Sequence, residues 1–490
     1  MTEFVTVIGG GLAGTEAALQ LAKRKIHVKL YEMKPQKFSE AHSNENLAEI
    51  VCSNSFKSNN FTNACGLLKE ELRMLESELI PIADSVKVPA GQALAVDREK
   101  FAEKVTKKIE DNEYIEVIRE ELKEIPNDGI VIIATGPLTS EELSKKIMEL
   151  TGIDKLYFYD AAAPIVEKDS INMDIAFYGD RYEQERGKEE SIEEWKERIT
   201  NLKASYINLP MNEDEYDKFY NELINAEVVT LHEFEKKEIF EGCMPLEIMA
   251  KRGKDTLRYG PLKPVGFTDP RTGRRPYAVV QLRQDNSDGT IFNLVGFQTN
   301  LKFGEQKRVF SLIPGLENAN FVKYGVMHRN TYINSTKLLD NTYNFKNNFR
   351  IFFAGQITGV EGYVESISSG FVAGVNSAVL YEIMKSRDLY NEESLNNIDN
   401  KETKQTESDE ENNIESLLNL YEKRKIIFSK ETVIGALSNY ISTPNDKFQP
   451  MNANFGILPE LDEKIKDKKV KYQKMAYRSI ENIKNIKKNM

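Results

Sequence analysis

Three cysteines are spread along 490 residues, and two of them stand where a thiol could act as a nucleophile. Cys243 lies in "EIFEGCMPLE" (238–247), framed by Gly242 and a Met-Pro pair. Cys52 ends the apolar run of "NLAEIVCSNSFKSNN", just before a Ser/Asn-rich loop. Loops at strand ends in α/β sheets face the ligand crevice. A free cysteine is most often a small buried hydrophobe, and Cys65, which opens an amphipathic helix in "TNACGLLKEEL", reads that way. For the other two thiols, two chemistries compete. Thiol–disulfide exchange usually shows a close C-x-x-C or C-x₄-C pair, which is absent here. Covalent attack on an electrophilic carbon of a substrate needs only one activated thiol.

After Cys243 the chain turns basic. Residues 250–286 carry Lys251, Arg252, Lys254, Arg258, Lys263, Arg271, Arg274, Arg275 and Arg283, offset by only Asp255, Asp269 and Asp285. Tyr259, Phe267 and Tyr277 are interleaved. Cations grip phosphates and rings stack on unpaired bases, so the stretch suits RNA. A polyglutamate or pyrophosphate ligand would ask for a similar loop.

These residues need a scaffold, and the N-terminus supplies its first part. "FVTVIGGGLAGTEAALQLAKRKIHVKLYEMK" reads as strand, glycine turn, helix and strand. In Gly9-x-Gly11-x-x-Gly14, the first glycine makes the tight turn, the second admits a pyrophosphate, and the third lets helix and strand pack. The helix N-terminus offers amides and a positive dipole to phosphates. Glu32, 18 residues beyond Gly14, ends the second strand where a carboxylate can hold ribose hydroxyls. Two later strands, "DGIVIIATGPL" (128–138) and "FRIFFAGQITGVEGYVESISSGFVAG" (349–374), end in Ala-Thr-Gly and Ala-Gly, and the second leads into a small-residue helix. The layout is α/β: a two-dinucleotide-binding, glutathione-reductase-like Rossmann FAD domain with an inserted smaller α/β domain. The expected boundaries are 1–180 with 286–460 for the discontinuous FAD-binding domain, 181–285 for the inserted substrate/RNA-binding domain, and 461–490 for a basic tail. Expected FAD contacts are Gly9, Gly10, Gly11, Leu12, Ala13, Gly14, Glu32, Thr135, Gly136, Gly355, Gln356, Gly362 and Tyr363.

Composition bounds the rest. A net charge of −11 argues weakly against nucleic acid, but the average hides local patterns. Residues 392–415 hold nine acids and two lysines with almost no apolar residue, which reads as a disordered loop. Residues 464–490 hold ten basic residues against two acids, which reads first as a solvated surface helix and second as an RNA-contacting tail. An odd, sparse set of cysteines suits a reducing cytoplasm. No apolar run approaches the roughly 18 residues of a bilayer span. A soluble cytoplasmic protein is expected, with neither membrane nor DNA as a partner.

The ordered blocks "VIGGGLAGTEAA", "EIVCSNSFKS", "PAGQALAVDRE", "FEGCMPLE", "YGPLKPVG", "VVQLRQDN", "FNLVGFQTNLKFGEQKRVF", "MHRNTYINS", "AGQITGVEGYVES" and "FQPMNANFG" carry a resemblance. The chain resembles the bacterial folate- and FAD-dependent tRNA (uracil-5-)-methyltransferases, once grouped with the small glucose-inhibited-division proteins. The match runs from residue 1 to about 385 and again from about 417 to 460. The resemblance implies methylation of the T-loop uridine of tRNA, with 5,10-methylenetetrahydrofolate as carbon donor and reducing equivalents from NADH or NADPH through FAD. It implies that Cys243 adds to uridine C6 and that Cys52 assists flavin binding or proton removal from C5. His328, Arg329 and Asn330 are expected on the folate and flavin face, and Arg252, Lys254, Arg258, Lys263, Arg271, Arg274 and Arg275 on the RNA. Thr336 stands where the family usually has proline, and the acidic segment and basic tail depart from the pattern. The alternatives are the same chemistry on a ribosomal RNA uridine, a flavin-bound RNA-binding factor without turnover, and a flavin disulfide reductase.

Overall fold

Strand β1 (Phe4–Ile8) is apolar and almost wholly buried, and it delivers the chain into the glycine turn, helix α1 (Leu12–Lys23) and strand β2 (His27–Tyr31). This is a computed structural model, and it describes residues 3–152, 156–187, 189–200, 204–229, 244–396, 407–446, 448–488 and 490. Side chains of 156–160, 200, 327–329, 388–396 and 407–413 fall outside that description. A small antiparallel sheet follows, made of β3 (Ser55–Ser58), β4 (Lys87–Val88) and β5 (Ala93–Val96). Helices α2 (Ala64–Met74) and α3 (Leu79–Ser85) lie between its strands, and α4 (Arg98–Glu110) leads on to β6 (Ile115–Ile118) and β7 (Ile130–Ile133). Strand β8 (Leu156–Ala161) then opens a second region. Six strands form its antiparallel sheet: β9 (Ile165–Glu167), β10 (Phe177–Tyr178), β11 (Tyr206–Met211), β12 (Ala278–Gln284), β13 (Ile291–Leu294) and β14 (Phe321–Lys323), in the order β10-β11-β12-β13-β9-β14. Strand β15 (Met327–Tyr332) pairs back on β8, and β16 (Ile351–Phe353) returns the chain to the first sheet, whose order is β16-β7-β1-β2-β6.

The first sheet is parallel throughout. Strands β1, β7 and β16 read as nearly continuous apolar runs, as strands covered on both faces do, whereas β2 and β6 alternate toward the edge. Two large cores stand out among the described residues. One joins the parallel sheet to α1, α2 and the long helix Tyr363–Asn396; the other lies under the second sheet, from Ala163 to Phe321. The inserted region is therefore wider than 181–285. Strands β9 and β14 are three residues each, too short to show an alternating pattern, and they complete the sheet from outside the expected limits.

Three expectations from composition change. The long helix is apolar enough over Tyr363–Arg387 to match a bilayer span, although 83% of the window is buried in the protein core. Its Ser, Gly and Asn residues break up the apolar run in the sequence. Within the acidic stretch 392–415, the long helix continues to Asn396 and a second helix occupies Glu407–Arg424; residues 397–406 lie outside the described residues. Further along the second helix, Leu417 and Tyr421 enter the core. The basic C-terminus, set apart above as a tail, is a docked helix, Lys468–Lys487, in line with the surface helix that its charge pattern suggests first. Asp467 caps it by accepting from the Lys469 and Val470 amides at 2.8 and 3.1 Å. Met475, Ala476, Ser479 and Ile483 form its one buried stripe, at helical spacing.

Glu71 ties this C-terminal part to α2. Its fully buried carboxylate accepts the first free amides of the helix Val433–Ser442, from Val433 at 2.7 Å and Ile434 at 2.8 Å, and it accepts the Ser479 hydroxyl of the C-terminal helix. Burial pushes the Glu71 carboxyl up from about 4.5 to about 7, although those three donors oppose the shift. A carboxyl raised in the folded state stabilises fully below its unfolded value, and that contribution is lost as pH rises through the folded value. Relative to Glu71→Gln, whose side chain does not titrate, the unfolding free energy of the wild type should fall by up to about 3 kcal/mol between pH 4.5 and 7.5. Denaturant unfolding of both proteins across that range checks it.

Candidate functional site

The ends of β1, β2, β7 and β16 open into one cavity of about 360 Å³. That is a normal size for a small-molecule site, at the carboxyl ends of parallel strands where such sites form. Its walls include Gly9 to Ala13 after β1, Glu32 after β2, Thr135 and Gly136 after β7, and Gly355 and Gln356 after β16. Gly14 is not in the wall. A side chain there would overlap the Gly9 carbonyl, so it sets the approach of α1 to the turn. Gly9 itself has φ +105°, which a side chain would strain, whereas the Cβ side of Gly11 is open space. Glu32 is nearly buried and held from two sides, accepting the Gly10 amide at 2.9 Å and the Lys34 amide at 3.0 Å. The long helix starts at the far wall with Tyr363, Val364, Glu365 and Ser366. Asn330 of β15 also lines the cavity, and its Oδ1 is buried with no hydrogen-bond partner among the described residues. A buried acceptor left open at a cavity wall can take a donor from a ligand or a water.

Cys52 lies in the wall of the same cavity, in a segment held by three side chains from three parts of the chain. Tyr363 accepts two backbone amides on its phenol oxygen, from Cys52 at 2.9 Å and Ser53 at 3.1 Å. Arg98, at the start of α4, donates to the Val51 carbonyl at 3.0 Å and reaches Ile50 at 3.4 Å. Arg283, on β12 of the second sheet, donates to Asn54 Oδ1 at 2.9 Å and to the Ser53 hydroxyl at 2.7 Å. Asn54 is completely buried and donates to the Val96 and Gln284 carbonyls, which joins β5 to β12. Arg98 also pairs with Asp285 at 3.0 Å, two residues beyond Arg283. Burial forces the Tyr363 phenol far above its ordinary value, so the group stays protonated.

The other expected residues divide. Cys243 lies outside the described residues, as do the side chains of His328 and Arg329, whose backbone in β15 pairs with Asp160 and Tyr159 of β8. Immediately after Cys243, Met244 is buried, and Glu247 pins the following helix by accepting the Asn300 amide and the Thr299 hydroxyl, both at 2.9 Å. None of Arg252, Lys254, Arg258, Lys263, Arg271, Arg274 and Arg275 lines the cavity. Several are already paired: Lys254 with Asp217, Arg258 with Asp255, Arg271 with Asp269, and Arg275 with Glu185. Arg258 also stacks on Tyr277 at 3.5 Å. Their charge is partly spent within the second region, against acids close by in sequence for Arg258 and Arg271 and distant ones for Lys254 and Arg275. Cys65 is buried and its thiol is pushed up by that burial, as packing requires.

Arg98 and Arg283 went unread as site residues. Both sit in quoted blocks, "PAGQALAVDRE" and "VVQLRQDN", but Arg283 counts there as one more cation of a basic stretch. Only the antiparallel register of β11 and β12 turns it inward, under the Cys52 segment.

Comparison with known proteins fits this geometry. A family profile described as Glucose inhibited division protein A matches residues 4–385. The chain is 52% identical to the methylenetetrahydrofolate–tRNA-(uracil-5-)-methyltransferase TrmFO of Bacillus licheniformis, over 100% of both chains. The chain belongs to the TrmFO/Gid-type family. Another family member, from Bacillus subtilis, is 53% identical over 99% of each chain, and that of Acetivibrio thermocellus is 53% identical over 99% of this chain and 98% of its own. Full-length agreement takes in the basic C-terminal helix, which the motif blocks alone leave outside the family. Among solved structures, GidA from Aquifex aeolicus in its form II crystal superposes with a TM-score of 0.63 at 16% identity, over 99% of this chain and 73% of that one. At that identity the likeness concerns the fold alone.

Tyr363→Phe keeps the ring and removes the acceptor shared by two amides. It should cost about 1–3 kcal/mol of stability. Hydrogen exchange read residue by residue should show the Cys52 and Ser53 amides losing protection while β1 and β7 keep theirs.

Proposed function

We propose that this chain is a methylenetetrahydrofolate–tRNA-(uracil-5-)-methyltransferase that binds FAD in the cavity beside Cys52 and forms 5-methyluridine in the T-loop of tRNA. The observation that supports it most is the identity of 52–53% with enzymes of that name over essentially the whole chain. The cavity fits the cofactor: two helix N-termini, a glycine turn, a strand-end carboxylate and an orphaned Asn330 acceptor converge on it. When bound, FAD supplies the two-electron reduction that turns a transferred methylene into a methyl group.

The protein's own groups have separable tasks. The amides at Gly11 to Ala13 receive the pyrophosphate, aided by the α1 dipole. Glu32, fixed by the Gly10 and Lys34 amides, takes ribose hydroxyls. Asn330 accepts a ring N–H of the flavin or the pterin. Cys243 thiolate adds to uracil C6, and the displaced electron pair makes C5 a carbon nucleophile toward the methylene of 5,10-methylenetetrahydrofolate. A base would then remove the C5 proton as the tetrahydrofolate nitrogen leaves, and once the exocyclic methylene has been reduced, expulsion of the Cys243 thiolate would restore the 5,6 double bond. Cys52, at the cavity wall, is the group placed for that proton or for the flavin. NADH or NADPH is the reductant, and a tRNA substrate places the work in the cytoplasm.

Tritium release from uracil-5-tritiated tRNA tests this, with purified protein, FAD, 5,10-methylenetetrahydrofolate and NADPH. Wild-type protein should release tritium, and Cys243→Ala and Cys52→Ala should each lower the rate by at least about 100-fold, the usual scale for losing a nucleophile or general base. No release from tRNA by a flavin-loaded wild type would overturn the reading.

A further inference from the structure

Arg283 is a buried cation without a counter-ion of its own. It is 7% exposed, and its fork donates to Asn54 Oδ1 at 2.9 Å and Ser53 Oγ at 2.7 Å. The Tyr206 phenol also hydrogen-bonds it, and among the described residues no carboxylate forms an ion pair with it, although Asp285 acts on it from a distance. The nearest carboxylate, Asp285, gives both oxygens to Arg98, at 3.0 and 3.1 Å. A third cation, Lys323 on β14, faces the same place and interacts with Arg98, Asp285, Glu49 and Cys52. Glu49 already pairs with Lys34 at 3.3 Å. Lys57 and Glu365, further along the cavity wall, pair with each other at 3.5 Å. Among the described residues, three cations, Arg98, Arg283 and Lys323, thus meet two carboxylates, Asp285 and the Lys34-paired Glu49, around a segment whose centre is Cys52. Burying charge without compensation is expensive, so a site built this way holds an anion.

We infer that Arg98 and Arg283 are positioning residues that hold Cys52 as a thiolate and aim it into the flavin cavity. The inference rests on the proposed function only for what the thiolate then does. The two arginines grip the chain on either side of the thiol, at Ile50 and Val51 and at Ser53 and Asn54. A thiolate beside guanidinium groups is favoured over the thiol. Tyr363 helps: both of its lone pairs take amides, so its O–H remains to donate toward the sulfur or a ligand. Burial, with the neighbouring Arg98, pushes the Lys323 ammonium below its ordinary value, against the opposing pull of Glu49, Cys52 and Asp285. Because Arg283 and Asp285 belong to the second sheet, the state of the thiol also depends on how that region sits on the first.

The test is the pH dependence of Cys52 alkylation by iodoacetamide in the flavin-loaded protein, followed by mass spectrometry of the Cys52 peptide. The wild-type midpoint should lie at least about one pH unit below the ordinary thiol value of roughly 8.5. Arg283→Gln and Arg98→Gln should each raise it by about one unit, a tenfold slower reaction below the midpoint. Arg283→Lys, which keeps the charge and loses the fork, should retain most of the lowering. A wild-type midpoint at the ordinary value overturns the inference, whatever the variants do. So does an unmoved midpoint in a glutamine variant that keeps its flavin absorbance and melting temperature. If alkylation behaves as expected while wild-type protein releases no tritium from tRNA, the methyltransferase reading fails and the arginine clamp stands.

Discussion

The structure depends on one close crossing of backbones. Gly370 and Gly374 of the long helix lie against Ala13 and Ala17 of α1, so near that a side chain at Gly370 would overlap the Ala13 carbonyl. Small residues on both faces let the two helices approach almost backbone to backbone. That contact brings together two helix N-termini that are some 350 residues apart in the chain, beyond the ends of two parallel strands, β1 and β16, that flank β7. A cavity with two positive dipole ends and several open backbone amides follows from the crossing, before any particular side chain is considered.

What the cavity faces is set by a second constraint, the keying of the two sheets through the Cys52 segment. Asn54 joins β5 to β12, and Arg98 joins α4 to Asp285. The buried polar groups here are mostly satisfied, and the cost of placing them inside a protein is offset only if their geometry is kept. Such a network makes poor glue and good registration. It fixes a thiol loop that lies between a cofactor domain and a region bearing the second thiol. The C-terminal helices add a similar device, since Glu71 alone meets two helix amides and a hydroxyl from a third element.

The cofactor half was legible because its requirements are local. A glycine turn, the strand on either side and the terminal carboxylate occupy Phe4 to Glu32, and each glycine's task follows from sterics. The limits of the second region were not legible, because β9 and β14 are too short to carry a pattern and pair with strands distant in sequence. Charge misled twice. Arg283 counted as one of many cations until the strand register buried it. The acids of 392–415 suggested disorder, yet much of that stretch is helical at the ends of helices anchored elsewhere. Composition averages over neighbours in sequence, whereas pairing depends on neighbours in space.

The central claim is that one cavity, shared by a flavin and the Cys52 segment, serves transfer of a one-carbon unit to tRNA. Isotope tracing tests it most directly. Unmodified tRNA transcript, flavin-loaded protein, NADPH and tetrahydrofolate carrying a ¹³C-labelled, deuterium-free methylene would be incubated in deuterated water, and the nucleosides analysed by mass spectrometry. The account predicts 5-methyluridine bearing ¹³C in its methyl group, approaching one per tRNA, with the label absent when the folate is omitted. Unlabelled transcript from a protein that has kept its flavin, or label on a nucleoside other than 5-methyluridine, would contradict it.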